Sequence, residues 1–73
     1  MHPIERYRKG RGWTQADLAR EVGVTLNAVH RWEKGAEPRP GRLRILSETL
    51  GVGTQQLVDE IDAWIQAHKK EAG

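Results

Sequence analysis

The segment from Gln15 to Lys34 constrains the fold of this chain of 73 residues more than any other part of it. Small and apolar residues recur three and four positions apart in each of its halves, a spacing that puts them on one face of a helix. They are Leu18, Ala19 and Val22 in the first half and Ala28, Val29 and Trp32 in the second. The pattern predicts two short helices whose apolar faces share one core.

The ends of both predicted helices carry residues that favour helix termini. Thr14 and Asp17 have the spacing of a capping box at the start of the first helix, and Thr25 can cap the second. Gly23 lies between them, where a glycine can adopt the left-handed conformation of a tight turn. Two capped helices joined in this way are typical of a helix-turn-helix motif, although an ordinary antiparallel helix pair has similar spacing.

The second predicted helix carries a different set of residues opposite its apolar face. They are Leu26, Asn27, His30, Arg31 and Lys34. In a major groove an asparagine can pair with adenine and an arginine with guanine, each contributing about 1–3 kcal/mol of discrimination, and a leucine can contact a thymine methyl group. A solvated helix face would also be polar, but this one has no acidic residue although the chain has ten. We interpret the face as one that reads double-stranded DNA.

Charge is distributed unevenly along the chain. Residues 1–44 contain ten basic and five acidic residues, a net charge of +5, whereas residues 45–73 contain two basic and five acidic residues, a net charge of −3. The basic part contains the predicted motif, and neutralisation of phosphates by such residues supplies most non-specific DNA affinity. No apolar run approaches the length of a membrane span, so DNA is favoured over a membrane as the partner.

Composition argues against several other functions. The chain has no cysteine, and its three histidines, His2, His30 and His68, are far apart and are expected to be solvated or helix-face residues rather than metal ligands. No nucleophile and base have the arrangement of an enzyme site, so we expect no catalysis, no cofactor and no small-molecule substrate. The chain does not open with a signal-like segment, which predicts a cytoplasmic protein associated with the nucleoid.

Three further helices are predicted around the motif, giving an all-α fold in a single domain over residues 1–73. The first runs from Pro3 to Lys9, and a proline-containing loop follows Gly35. A fourth helix spans Gly41 to Leu50. Thr54 is expected to cap a fifth helix that continues to about residue 70.

The sequence resembles the phage-repressor-like helix-turn-helix domains, also called Cro/cI-type or XRE-type, over about residues 4–58. The resemblance is carried by Gly12–Gln15, Leu18 and Ala19, Val22–Thr25, Ala28 and Val29, Trp32–Gly35, Pro38, Pro40 and Leu50–Val52. It implies a five-helix lambda-repressor-like fold, and the length predicted for the fifth helix adds an extended C-terminal helix to it. It also implies a sequence-specific DNA-binding transcriptional regulator, with a repressor that reads a palindromic operator as the expected form.

The resemblance also implies roles for individual residues. Leu26 and Asn27, followed by Arg31, would read bases, although Leu26 offers no hydrogen bond where phage repressors can have glutamine. His30 joins this base-reading set because it lies on the same outward face. The resemblance also implies that Gln15, Arg39 and Arg42 bind backbone phosphates. We add Thr25 and Lys34, at the start and end of the second motif helix, to this phosphate-binding set. Arg8 and Glu33 would form a structural ion pair. The arginines could instead be solvated surface charges.

The fifth helix bears on assembly. Its apolar stripe extends past the end of so small a domain and predicts the interface of a homodimer formed by Ile61, Trp64, Ile65 and His68. Alternatively, the helix packs back on its own domain with Trp64 in the core. A rival function uses the same stripe to bind a partner protein, as an antitoxin does, with DNA binding secondary.

Overall fold

The computed structural model describes the backbone of residues 1–72 and the side chains of residues 1–69. Over this part of the chain it consists of five helices and no strand: α1 Pro3–Gly10, α2 Gln15–Val22, α3 Leu26–Glu33, α4 Pro40–Leu50 and α5 Thr54–Ala72. The predicted all-α fold is confirmed. The helices differ from the predicted ones only by one or two residues at their ends.

The termini of α2 and α3 follow the local chemistry that their sequence predicts. The Thr14 hydroxyl accepts a hydrogen bond from the Asp17 backbone N–H at 3.1 Å, and the Asp17 carboxylate accepts one from the Thr14 backbone N–H at 2.9 Å. Gly23 ends α2 in the left-handed conformation, with φ of 86°. The Thr25 hydroxyl accepts from the Ala28 backbone N–H at 3.1 Å. Each interaction satisfies a backbone group that a helix end leaves without a partner.

The prediction that Thr54 caps α5 is wrong. Thr54 is the first residue of the helix, and the preceding Gly53 carbonyl accepts from the Leu57 backbone N–H at 2.9 Å. The Thr54 hydroxyl lies 2.7 Å from that of Ser47, a buried residue of α4. The Thr54 hydroxyl therefore hydrogen-bonds between α4 and α5 instead of capping α5 as the sequence predicts.

The core lies where all five helices meet, and every helix contributes to it. Its buried members are Ile4 of α1, Leu18, Ala19 and Val22 of α2, Val29 and Trp32 of α3, Leu46 and Leu50 of α4, and Leu57 and Ile61 of α5. The apolar faces predicted for α2 and α3 are among them. Because α2 and α3 share this core, the opposite face of α3 is directed outward.

The second half of α5 packs on its own domain rather than extending away from it. Ile61 is only 3 % exposed and belongs to the core, so the prediction that it lies in a dimer interface is wrong. Trp64 is half-buried, and a Cβ atom placed on Gly35 would lie 3.3 Å from its ring. His2, which was expected at the surface, is 2 % exposed and lies against Trp64 with ring centroids 4.7 Å apart. The arrangement matches the alternative in which the helix folds back with Trp64 as a packing residue.

Candidate nucleic-acid interface

The outward face of α3 is the exposed face that the sequence predicts. Leu26 is 53 % exposed, and the side chains of Asn27, His30, Arg31 and Lys34 are exposed beside it. Within Leu26–Glu33 the single acidic residue, Glu33, is directed inward with a side chain only 6 % exposed. The face therefore combines hydrogen-bonding groups, positive charge and one apolar contact without a carboxylate that would repel phosphate.

Glu33 is held by an ion pair and hydrogen bonds beneath this face. Arg8 donates to it through Nε at 2.8 Å and Nη2 at 3.0 Å, in a bidentate pair whose two side chains are both more than nine-tenths buried. The third donor of the guanidinium, Nη1, reaches the Trp13 carbonyl at 2.9 Å. The Glu33 carboxylate raises the pKa of Arg8 through this hydrogen bonding. The ion pair that the family resemblance implies thus joins α1 to the end of α3.

Gln15 is the first residue of α2 and also contacts Glu33. Its Nε2 atom donates to Glu33 Oε1 at 3.0 Å, so the side chain joins the start of α2 to the end of α3. An amide nitrogen carries two hydrogens, and one can remain on Glu33 while the other meets an anion outside the protein. Helix α2 begins at the same point, where its free N–H groups also favour an anion. The geometry is compatible with the phosphate role expected for Gln15.

A groove of about 540 Å³ opens beside α3, and three arginines from different elements line it. Arg31 comes from α3, Arg39 from the loop after it, and Arg42 from α4. Thr25, at the start of α3, lies in the same groove, and Glu37 is its one acidic residue. The structure therefore brings together two arginines expected at phosphates and one expected at bases. Lys34 lies apart from the groove, exposed at the C-terminal end of α3.

Sequence reasoning missed two of these relationships. The contact between Gln15 and Glu33 joins residues 18 positions apart, and no local signal in the sequence indicates it. The grouping of Arg31 with Arg39 and Arg42 depends on the path of the loop after α3. A helical projection could have found part of it, because Arg31 lies on the side of α3 next to the half-buried Ala28.

The residues expected at a dimer interface are divided between core and surface. Ile65 is half-buried against the core, and His68 is exposed and stacked on Trp64 with ring centroids 3.8 Å apart. An apolar groove of about 200 Å³ lies between α4, α5 and the loop that precedes α4. Its lining consists of Glu37, Pro38, Pro40, Leu43, Val58, Ile61 and Asp62.

Neither a metal site nor a membrane span is present in the described part of the chain. Among residues 1–69 no three histidine or acidic side chains come together as metal ligands would. No helix in the described residues is both long enough and apolar enough to cross a bilayer.

The capped pair α2 and α3, with a buried seam and an exposed basic face, defines the class of helix-turn-helix DNA-binding domains. A family model described as Helix-turn-helix matches residues 4–57, and the chain belongs to this family, in its XRE or Cro-like form. The family is one of DNA-binding transcription regulators and is not typically enzymatic. Comparisons with curated proteins and with solved structures gave no match.

Proposed function

We propose that this protein is a sequence-specific transcriptional repressor that inserts α3 into the major groove of a palindromic operator. The observation that carries the proposal is the exposed, acid-free face of α3 on a helix held by the buried Arg8–Glu33 pair. A recognition helix must keep a constant orientation, because base contacts depend on placement to within fractions of an ångström. Repression then follows from occupation of the operator and needs no chemistry.

Within this proposal the outward residues divide by chemistry. Asn27 has the bidentate donor and acceptor for adenine, and Arg31 has the fork for guanine. Leu26 provides an apolar contact for a thymine methyl group. His30, one turn after Leu26 on the same exposed face, reaches the edge of the base-reading surface.

The remaining polar residues on this side of the molecule would hold the DNA backbone. Gln15, at the start of α2, and Thr25, at the start of α3, lie at helix ends whose N–H groups favour phosphate. Arg39 and Arg42 line the groove on one side of α3, and Lys34 is exposed at its C-terminal end. Such contacts orient the recognition helix and carry no base preference.

A symmetric dimer is the proposed binding form. Closed two-fold dimers are the commonest homo-oligomers, and two helix-turn-helix units read half-sites about 34 Å apart. Leu43 of α4 and Val58 of α5 line the apolar groove and remain partly exposed, as does Ile65 further along α5. With Ile61 in the core and Trp64 packed on its own chain, these three residues are the apolar contacts that we propose for a second copy.

Selection from random duplex DNA tests the proposal. The wild-type protein should enrich a palindromic site, and Asn27→Ala should lose preference at one base pair in each half-site by about 1–3 kcal/mol. Arg39→Ala should weaken binding to all sequences alike and reduce the salt dependence by about one phosphate contact. Gln66→Ala, at an exposed position of α5, serves as the control that leaves both measurements unchanged.

Enrichment of no sequence by the folded wild-type protein would overturn specific DNA reading. It would favour the rival function, in which the surface of α4 and α5 binds another protein. Enrichment of a single unpaired half-site would retain DNA reading but reject the palindrome.

A further inference from the structure

The N-terminal turn of α1 is capped by a histidine. The Nδ1 atom of His2 accepts a hydrogen bond from the Ile4 backbone N–H at 3.1 Å, while the residue as a whole is only 2 % exposed. A ring nitrogen can accept in this way only when it carries no proton. The geometry therefore requires His2 in its neutral form with the hydrogen on Nε2.

The other side of the same ring lies against α5. His2 meets Trp64 in an edge-to-face arrangement with centroids 4.7 Å apart, and Trp64 in turn stacks on His68. The His2 Nε2 atom is fully buried and has no hydrogen-bond partner among residues 1–69. One imidazole thus caps α1 and fills the space between α1 and α5.

Protonation of His2 would oppose both the cap on α1 and the burial of the ring. Both nitrogens of an imidazolium are donors, so Nδ1 could no longer accept from Ile4. Nε2 would carry its share of the positive charge into a buried position with no acceptor, and burying an unpaired charge is costly.

The groups that face His2 compensate only partly for this cost. The carboxylates are Glu5 of α1 and Glu33 of α3, and the opposing cations are the N-terminal amine and His68 of α5. Glu33 is already neutralised by Arg8, and Glu5 is bound by Lys9 at 2.9 Å. Burial dominates and lowers the pKa of His2 below its ordinary value.

We propose that His2 is an acid-released latch that joins the start of α1 to α5. When neutral it caps α1 and stays buried against Trp64, and when protonated it loses the cap and is driven toward solvent by the cost of burying its charge. Because α1 also carries Arg8, the latch lies on the helix that holds the end of α3. The proposal depends on the geometry of α1 and α5 and is independent of whether the protein binds DNA.

The direction of the pH effect follows from proton linkage. The unfolded chain binds the proton near the ordinary histidine pKa of about 6.5, whereas folded His2 binds it only at lower pH. The free energy of unfolding is therefore fully retained above that range and falls as the pH drops through it. The carboxylates Glu5 and Glu60, whose pKa values are lowered from an already acidic range, ionise below this window.

Urea unfolding of the full chain between pH 7.5 and pH 5.0 tests the latch. The folding equilibrium constant of the wild type should fall roughly tenfold for each pH unit by which the folded pKa lies below the unfolded one. His2→Asn keeps a side chain that can cap a helix but does not titrate, so the His2 contribution to this fall should disappear. The same substitution at an exposed histidine, His30→Asn, serves as the control and should leave the contribution of His2 to this fall in place.

A second measurement uses the wild-type protein and does not depend on the folding of any variant. Nitrogen chemical shifts of the imidazoles should report an unprotonated His2 Nδ1 at pH 7.5. His2 should then titrate below the ordinary histidine pKa of about 6.5. Titration of His2 at or above the ordinary histidine pKa of about 6.5, or an unchanged pH dependence in folded His2→Asn, would overturn the latch.

Discussion

At the scale of single residues, Glu33 determines how α3 can present its outer face. A carboxylate on a DNA-reading helix would repel phosphate if it were exposed. Here the Glu33 carboxylate turns inward and accepts hydrogen bonds from Arg8 and Gln15. It thereby joins α3 to α1 and α2. The acidic residue in a basic segment is thereby a structural one.

Glu33→Ala should therefore destabilise the protein strongly. Removing the carboxylate leaves the Arg8 guanidinium buried without its partner, which costs about 3 kcal/mol in the free energy of unfolding. The Asp17–Arg20 pair, whose arginine side chain is 72 % exposed, provides the contrast. Arg20→Ala should leave stability close to that of the wild type.

Urea unfolding at pH 7.5 measures both variants. A double change, Arg8→Met with Glu33→Leu, should lose less stability than Glu33→Ala because no charge is left buried. Equal stability of Glu33→Ala and the wild type would mean that the pair does not hold α3.

At the scale of helices, the loop after α3 packs closely against α5, where Gly35 lies next to the ring of Trp64. Gly35 has φ of 117°, a conformation that other residues rarely adopt. A side chain there would also meet the ring of Trp64. The position requires glycine both for its backbone and for the space that the tryptophan fills.

Gly35→Ala should lower the free energy of unfolding by about 1–2 kcal/mol, since it combines backbone strain with crowding against Trp64. Gly41 is the matched control because it lies within α4 and has open space around it. Gly41→Ala should leave stability unchanged or raise it by up to about 1 kcal/mol. Thermal or urea unfolding distinguishes the two, and equal effects would contradict the close approach.

At the scale of the whole molecule, polar contacts between α1 and α5 hold the long C-terminal helix α5 against its own domain. Glu60 of α5 accepts from both Arg6 and Tyr7 of α1, and His2 packs on Trp64 further along. The hydrogen bond from Tyr7 lowers the pKa of Glu60. The helix is therefore attached to its own domain along most of its described length, and only part of its apolar stripe is left for another chain.

The proposed dimer can be tested at the position that remains available. Ile65→Lys should abolish self-association, because it places a charge among the partly exposed apolar residues of α5. Gln66→Lys adds the same charge at an exposed neighbouring position and should leave association unchanged. Sedimentation equilibrium over a range of concentrations measures both, with circular dichroism to verify folding. A monomeric wild type at millimolar concentration would reject the dimer.

The sequence by itself determined the motif from Gln15 to Lys34, because its signals act over short distances. Caps such as Thr14 and Thr25 bond within three residues, and the apolar spacing follows from the turn of the helix. The tertiary structure decided the burial of His2 and the contact between Gln15 and Glu33. It also decided that Trp64 packs on its own chain. These features depend on which helices meet in space, and neither local propensity nor periodicity specifies a meeting between residues so far apart along the chain.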